Sequence, residues 1–157
     1  MATKTHRVFV YGTLKRDKPN HFLMSNPENG KSQYIGEARS VDRWPLVIAT
    51  PFNIPFVLDK KGHGHIIQGE LFDIDDEMLK SCDKLEGHPK VYTREHFNVL
   101  NMSTGSQDTV WCYLMKNFKD ELLNSPMLQK YDREQMNFVV PGERTDSNIS
   151  SFVKKLN

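Results

Sequence analysis

The chain has 157 residues, with 21 basic and 20 acidic side chains and a formal net charge of +1. That length suits one domain over residues 1–157, with a core large enough to hold without disulfides or metals. The even charge balance gives no footing for nucleic acid or an acidic membrane surface, and no stretch nears the ~20 apolar residues of a membrane span.

The opening Met1-Ala2-Thr3-Lys4-Thr5-His6-Arg7 has no apolar signal core, so a cytoplasmic protein is expected. Residues 6–11 alternate and are β-branched, which predicts a strand ending at Gly12. Residues 20–25 suit a short helix. Residues 32–41 predict a second strand, with Gly36 as a bulge or a point of close approach. Residues 46–49 continue as β after Trp44-Pro45. Residues 56–59 and 65–74 predict a hairpin across Lys60-Lys61-Gly62-His63-Gly64.

An amphipathic helix follows, with Asp75 as its N-cap, Gly87 as a left-handed stop and Pro89 as a barrier to continuation. Residues 94–100 and 108–115 predict a second hairpin. Beyond Asp120 the pattern weakens: residues 120–123 suit a helical turn, Pro126 and Pro141 interrupt, and residues 147–156 suit a capped terminal helix. Six or seven strands with one long helix and no regular βαβ alternation predict an α+β domain on a mixed or antiparallel sheet or barrel.

Cys82 and Cys112 both fall in apolar surroundings and read as inert core thiols in a reducing compartment. Trp44, Phe72 and Trp111 read as core aromatics. His63 and His65 lack the further ligands that a metal site needs and read as a solvated loop. No phosphate loop, dinucleotide fingerprint, nucleophile elbow or Cys-x-x-Cys pair is present.

Glu86 is the most informative residue. Asp76 and Glu77 suit the positive end of the helix dipole, whereas Glu86 lies in the last turn, where the dipole disfavours negative charge. It also shares a face with Leu79 and Cys82, on the stripe that should meet the core. Burial and the dipole both push a carboxyl pKa upward, which suits a general base. A structural role is the alternative: a glutamate bordering the core that reaches water or pairs with Lys90 or Arg94. His88 reads as a loop residue, and Tyr92 and Arg94 as packing or charge partners of the site.

The second motif is Tyr11-Gly12-Thr13-Leu14 at the end of the first strand. A glycine at a sharp turn exposes successive N–H groups as a nest for an anion, to which Thr13 adds a hydroxyl. By themselves these residues favour an ordinary strand-to-loop turn.

Together, Tyr11-Gly12-Thr13-Leu14 and Leu85-Glu86-Gly87 resemble the γ-glutamylcyclotransferase-like superfamily. Residues 8–16, Pro19-Asn20-His21, residues 69–74 and Leu85-Glu86-Gly87-His88-Pro89 are similar to its γ-glutamylamine cyclotransferase branch, related to plant avirulence-induced proteins. The resemblance covers about residues 7–115 and offers no pattern from about residue 120. It implies a small mixed-strand β-barrel or curved sheet flanked by a few helices, with a cavity between the first loop and the helix end. It implies Glu86 as the catalytic base and Tyr11, Gly12, Thr13 and Leu14 as the substrate-holding loop.

The implied reaction closes an L-γ-glutamyl group onto its own γ-carbonyl, giving 5-oxoproline and an amine, with no metal or organic cofactor. The implied substrate is L-γ-glutamyl-L-ε-lysine, left when transglutaminase crosslinks are degraded. Its partner is thus a small γ-glutamyl molecule, with neither nucleic acid nor membrane; oligomeric state is open, a monomer being the default. Two other readings stand beside it. One is a cyclotransferase for γ-glutamyl-α-amino acids, and the other a non-enzymatic small-ligand-binding module, against which the costly setting of Glu86 argues.

Overall fold

The computed structural model describes residues 5–12, 14–16, 21–48, 55–88, 92–116 and 118–131. Seven strands lie among the described residues: β1 (Thr5–Val10), β2 (Ser32–Trp44), β3 (Leu46–Ile48), β4 (Pro55–Val57), β5 (His65–Asp75), β6 (Thr93–Asn101) and β7 (Gln107–Leu114). Five of them close a barrel in the order β1-β5-β2-β6-β7. The closing pair, β1 with β7, is parallel and the other pairs are antiparallel. Two helices, α1 (His21–Ser25) and α2 (Asp76–Glu86), lie in the described chain with 3-10 turns at Pro27–Asn29 and Asp120–Asn124. The expected α+β barrel with few helices is therefore the observed architecture. No helix among the described residues is long and apolar enough to cross a membrane.

Strand alternation sorts the apolar residues into two cores. Phe9, Ala38, Leu71, Phe97 and Cys112 come from all five barrel strands, so their cluster fills the barrel. Within it the Phe9 and Phe97 rings stack at 5.4 Å. The neighbouring positions Val8, Val10, Phe72, Ile74 and Tyr113 point the other way and pack with Met24 of α1 and Met78, Leu79 and Cys82 of α2. Gly36 lies at a register shift of β2 against β5 with φ +155°, as expected for a bulge.

The expected hairpin between residues 56–59 and 65–74 does not form. β4 pairs with β3 in a separate two-stranded sheet, while β5 is occupied along both edges by β1 and β2. All three β4 residues are buried. A strand covered on both faces needs neighbours beyond one hairpin partner, and β4 also receives the Met115 N–H on its Val57 carbonyl (2.8 Å). β2 runs three residues further than expected, to Trp44, through a second irregularity between Arg39 and Arg43. The second hairpin forms as β6 and β7, paired from Thr93–Leu114 to Leu100–Gln107. Residue 49 and the anticipated helix at 147–156 fall outside the described residues.

Candidate active site

α2 carries Glu86 to one end of the barrel, and both helix ends are closed by the residues anticipated for them. The Asp75 carboxylate accepts the Met78 N–H at 2.9 Å. At the other end Gly87 is left-handed (φ 65°, ψ 35°). Its N–H reaches the Lys84 carbonyl at 3.3 Å and that of His88 reaches Asp83 at 2.9 Å, which together make a Schellman closure. Met78, Leu79 and Cys82 are buried, and Glu86 on the same face is half-buried. The Glu86 carbonyl receives the Tyr92 N–H at 3.3 Å, which sets Tyr92 against the helix end.

β1 delivers the second half of the site. Tyr11 is 6% exposed and Leu14 3% exposed, and Gly12 between them is buried; Thr13 lies outside the described residues. The Tyr11 hydroxyl donates to the Tyr113 carbonyl at 2.7 Å, tying the loop to β7. Gly12 is required by close approach, because a Cβ there would lie 2.6 Å from Pro55 Cγ. The Pro55 carbonyl accepts the Tyr92 hydroxyl at 2.8 Å, and the Tyr92 ring stacks on Phe56 at 5.4 Å. Two loop donors are engaged within the protein. Lys15 N–H bonds the Gly12 carbonyl at 3.1 Å, and Arg16 N–H bonds a Glu70 carboxylate oxygen at 2.8 Å.

Electrostatics link the two halves. Burial first, then the neighbouring Tyr92, Cys112 and Glu86, push the Tyr11 phenol well up from its ordinary value. Burial and then Glu86 do the same to the Cys112 thiol. Burial, with Glu86 second and Asp83 third, pushes Cys82 up to about 12. Tyr113 is raised by burial, Cys82, its hydrogen bond to Asp83, and the charges of Asp83 and Glu86. The Glu86 charge thus bears on Tyr11 just past β1, on Cys112 and Tyr113 of β7 and on Cys82 of its own helix.

Arg94 does not pair with Glu86. Its guanidinium makes two bonds to Asp83, one turn earlier, at 2.9 and 3.1 Å, while Lys90 lies outside the described residues. His88 lies in the turn after α2, as expected of a loop residue, and its Nδ1 accepts the Arg94 N–H at 3.1 Å. Trp111 is half-buried rather than core, with the Arg94 guanidinium 4.5 Å above its ring and His96 stacked at 4.2 Å. Cys82 and Cys112 are buried free thiols, and Trp44 and Phe72 are core residues. His63 and His65 are exposed.

The sequence model of the γ-glutamyl cyclotransferase, AIG2-like family matches residues 8–143. The chain belongs to this family. γ-Glutamylaminecyclotransferase C of Danio rerio is 36% identical over 90% of this chain and 98% of its own. γ-Glutamylaminecyclotransferase of Rattus norvegicus is 37% identical over 81% of this chain and 89% of its own. The crystal structure of an AIG2-like protein from Mus musculus superposes with a TM-score of 0.80 at 35% identity, covering 83% of this chain and 90% of that one.

The AIG2-like match runs past residue 115 into the tail where no family pattern was legible. In this AIG2-like chain the described part of that tail reaches the first loop at Tyr131. The Tyr131 carbonyl accepts the ammonium of Lys15, which is 3% exposed, at 2.7 Å. Glu70, 9% exposed and paired with Arg16, was singled out only as part of a family string. Asp83 and Tyr113 were missed altogether. The one hint was that Asp83 precedes Glu86 by three residues and so lies one turn below it.

Proposed function

We propose that the chain is a γ-glutamylamine cyclotransferase in which Glu86 acts as base and then acid. The observation that carries this reading is half-buried Glu86 at the closed end of α2, on the helix turn that Tyr113 ties through Asp83 to Tyr11 at the start of the first loop. The names of the zebrafish and rat relatives support the same activity.

The substrate's own α-amine attacks its γ-carbonyl carbon. The ammonium first gives a proton to the Glu86 carboxylate, the new C–N bond closes the five-membered lactam, and the old C–N bond breaks. Glu86 passes that proton to the leaving nitrogen, and the second proton lost by the attacking nitrogen follows the same route. The lactam thus keeps one N–H, the amine leaves as an ammonium and Glu86 ends as a carboxylate. Nucleophile and electrophile share one molecule, so holding them in a reactive conformer contributes about 7–11 kcal/mol. Proton transfer by a single positioned carboxyl adds about 10²–10⁴-fold. Backbone N–H groups of Gly12, Thr13 and Leu14, next to Tyr11 in the chain, would hold the substrate carboxylate and polarise the γ-carbonyl. The preferred substrate is L-γ-glutamyl-L-ε-lysine, as released from transglutaminase crosslinks. Two free buried thiols accord with work in a reducing, cytoplasmic setting.

Purified protein incubated with L-γ-glutamyl-L-ε-lysine should release 5-oxoproline and lysine in equal amounts. Glu86→Gln should stay folded and bind substrate but release neither. Turnover of L-γ-glutamyl-L-alanine in place of the ε-linked compound would move the chain to the γ-glutamyl-α-amino acid class. Turnover of neither would leave a binding module.

A further inference from the structure

Three side chains, Tyr113, Asp83 and Arg94, meet beside the helix turn that carries Glu86. The Tyr113 hydroxyl donates to Asp83 Oδ1 at 2.6 Å, and the Arg94 guanidinium grips both Asp83 oxygens in a fork. Asp83 and Arg94 are only 22% and 18% exposed, so the pair is well shielded from solvent compared with a surface ion pair. Asp83 is doubly engaged. Its carboxylate is held by β6 and β7, while its carbonyl receives the His88 N–H that closes α2 just beyond Glu86. Arg94 contributes again from its backbone, whose N–H bonds His88 Nδ1.

The network also reaches the loop. Tyr113 joins Asp83 by its hydroxyl and Tyr11 by its carbonyl. One β7 residue therefore links the turn that carries Glu86 to the residue that opens the first loop. A surface cap would need no such link, since the Schellman closure already satisfies the helix end.

We propose that Asp83, held by Arg94 and Tyr113, is a positioning residue that sets the Glu86 carboxyl against the loop at Tyr11 and Gly12. This rests on the reading of Glu86 as the proton-transfer group. An error of about 1 Å in such a placement can cost about 10²-fold in rate while leaving ground-state binding nearly intact.

Steady-state kinetics on L-γ-glutamyl-L-ε-lysine test it, with Glu86→Gln alongside and thermal unfolding of each variant recorded. Tyr113→Phe removes only the hydroxyl and keeps the carbonyl that holds Tyr11. It should lower kcat by about tenfold or more with KM within about twofold. Arg94→Lys keeps the charge but not the fork and should recover only part of the rate lost in Arg94→Gln. Asp83→Asn should show the largest kcat loss, and if it does not fold, Tyr113→Phe decides. Wild-type kcat in Tyr113→Phe, with Glu86→Gln inactive, would overturn the positioning role alone. So would a raised KM at unchanged kcat. Full activity of Glu86→Gln would instead overturn the reading of Glu86, and this proposal with it.

Discussion

Gly12 is constrained from across the site, by Pro55, rather than by its own backbone angles. A valine there must push Pro55 aside, and Pro55 holds the Tyr92 hydroxyl through its carbonyl. Gly12→Val is therefore expected to lower stability by about 1–3 kcal/mol through overpacking and to weaken 5-oxoproline binding as well. Calorimetric titration and denaturant unfolding of the same sample check both; unchanged affinity would remove the loop from the site. The loop's glycine and the helix-end glutamate were legible because each breaks a local rule, a turn residue closing a strand and an acid at the wrong end of a dipole. Asp83 breaks no such rule. An aspartate in mid-helix reads as a solvated side chain, and only the arrival of Arg94 and Tyr113 from 11 and 30 residues away gives it a role.

The helix that bears Glu86 owes its ends to local chemistry. Asp75 is held below its usual carboxyl value, first by the Met78 N–H bond, against a smaller opposing effect of burial. A depressed carboxyl contributes stability that is complete above its unfolded value of about 3.9 and is lost as pH falls through the lower folded value. Asp75→Ala should therefore cost about 1 kcal/mol at pH 7, with the gap to wild type closing as pH falls below that range. Urea unfolding across a pH series measures the gap; a constant difference would mean that the cap acts without its charge. The same helix was legible to within a residue at each end, because caps are written in neighbouring residues. The pairing of β4 was not. Lys60 to Gly64 reads as a hairpin turn, yet both edges of β5 are taken by strands remote in sequence.

At the scale of the molecule, the tail is part of the site's scaffold. Leu128 N–H bonds the Leu46 carbonyl at 2.8 Å, Gln68 N–H bonds the Gln129 carbonyl at 2.7 Å, and Tyr131 receives the Lys15 ammonium. Ending the chain after Ser125 removes all three. Loss of the bond to the buried ammonium alone should cost about 1.5–3 kcal/mol. At about 2–4 °C per kcal/mol for a domain of this size, Tm should fall by roughly 3–12 °C. KM should rise, since Lys15 closes the first loop's turn onto Gly12. Scanning calorimetry with steady-state kinetics checks the pair; a lower Tm with unchanged KM would confine the tail to stability.

The sequence by itself determined the first strand to within a residue at each end, the bulge at Gly36, both caps of α2, the β6–β7 hairpin and the α+β class. Each of these follows from residues within a few positions of one another, where side-chain period, turn chemistry and dipole act directly. Tertiary structure alone decided that five strands close with β1 beside β7, that β4 leaves β5 for β3, and that Arg94 turns to Asp83 and not to Glu86. Those outcomes depend on which distant groups compete for one edge or one charge. Backbone edges and buried carboxylates must all find partners at once, and no local stretch of chain carries the information about which partner is nearest.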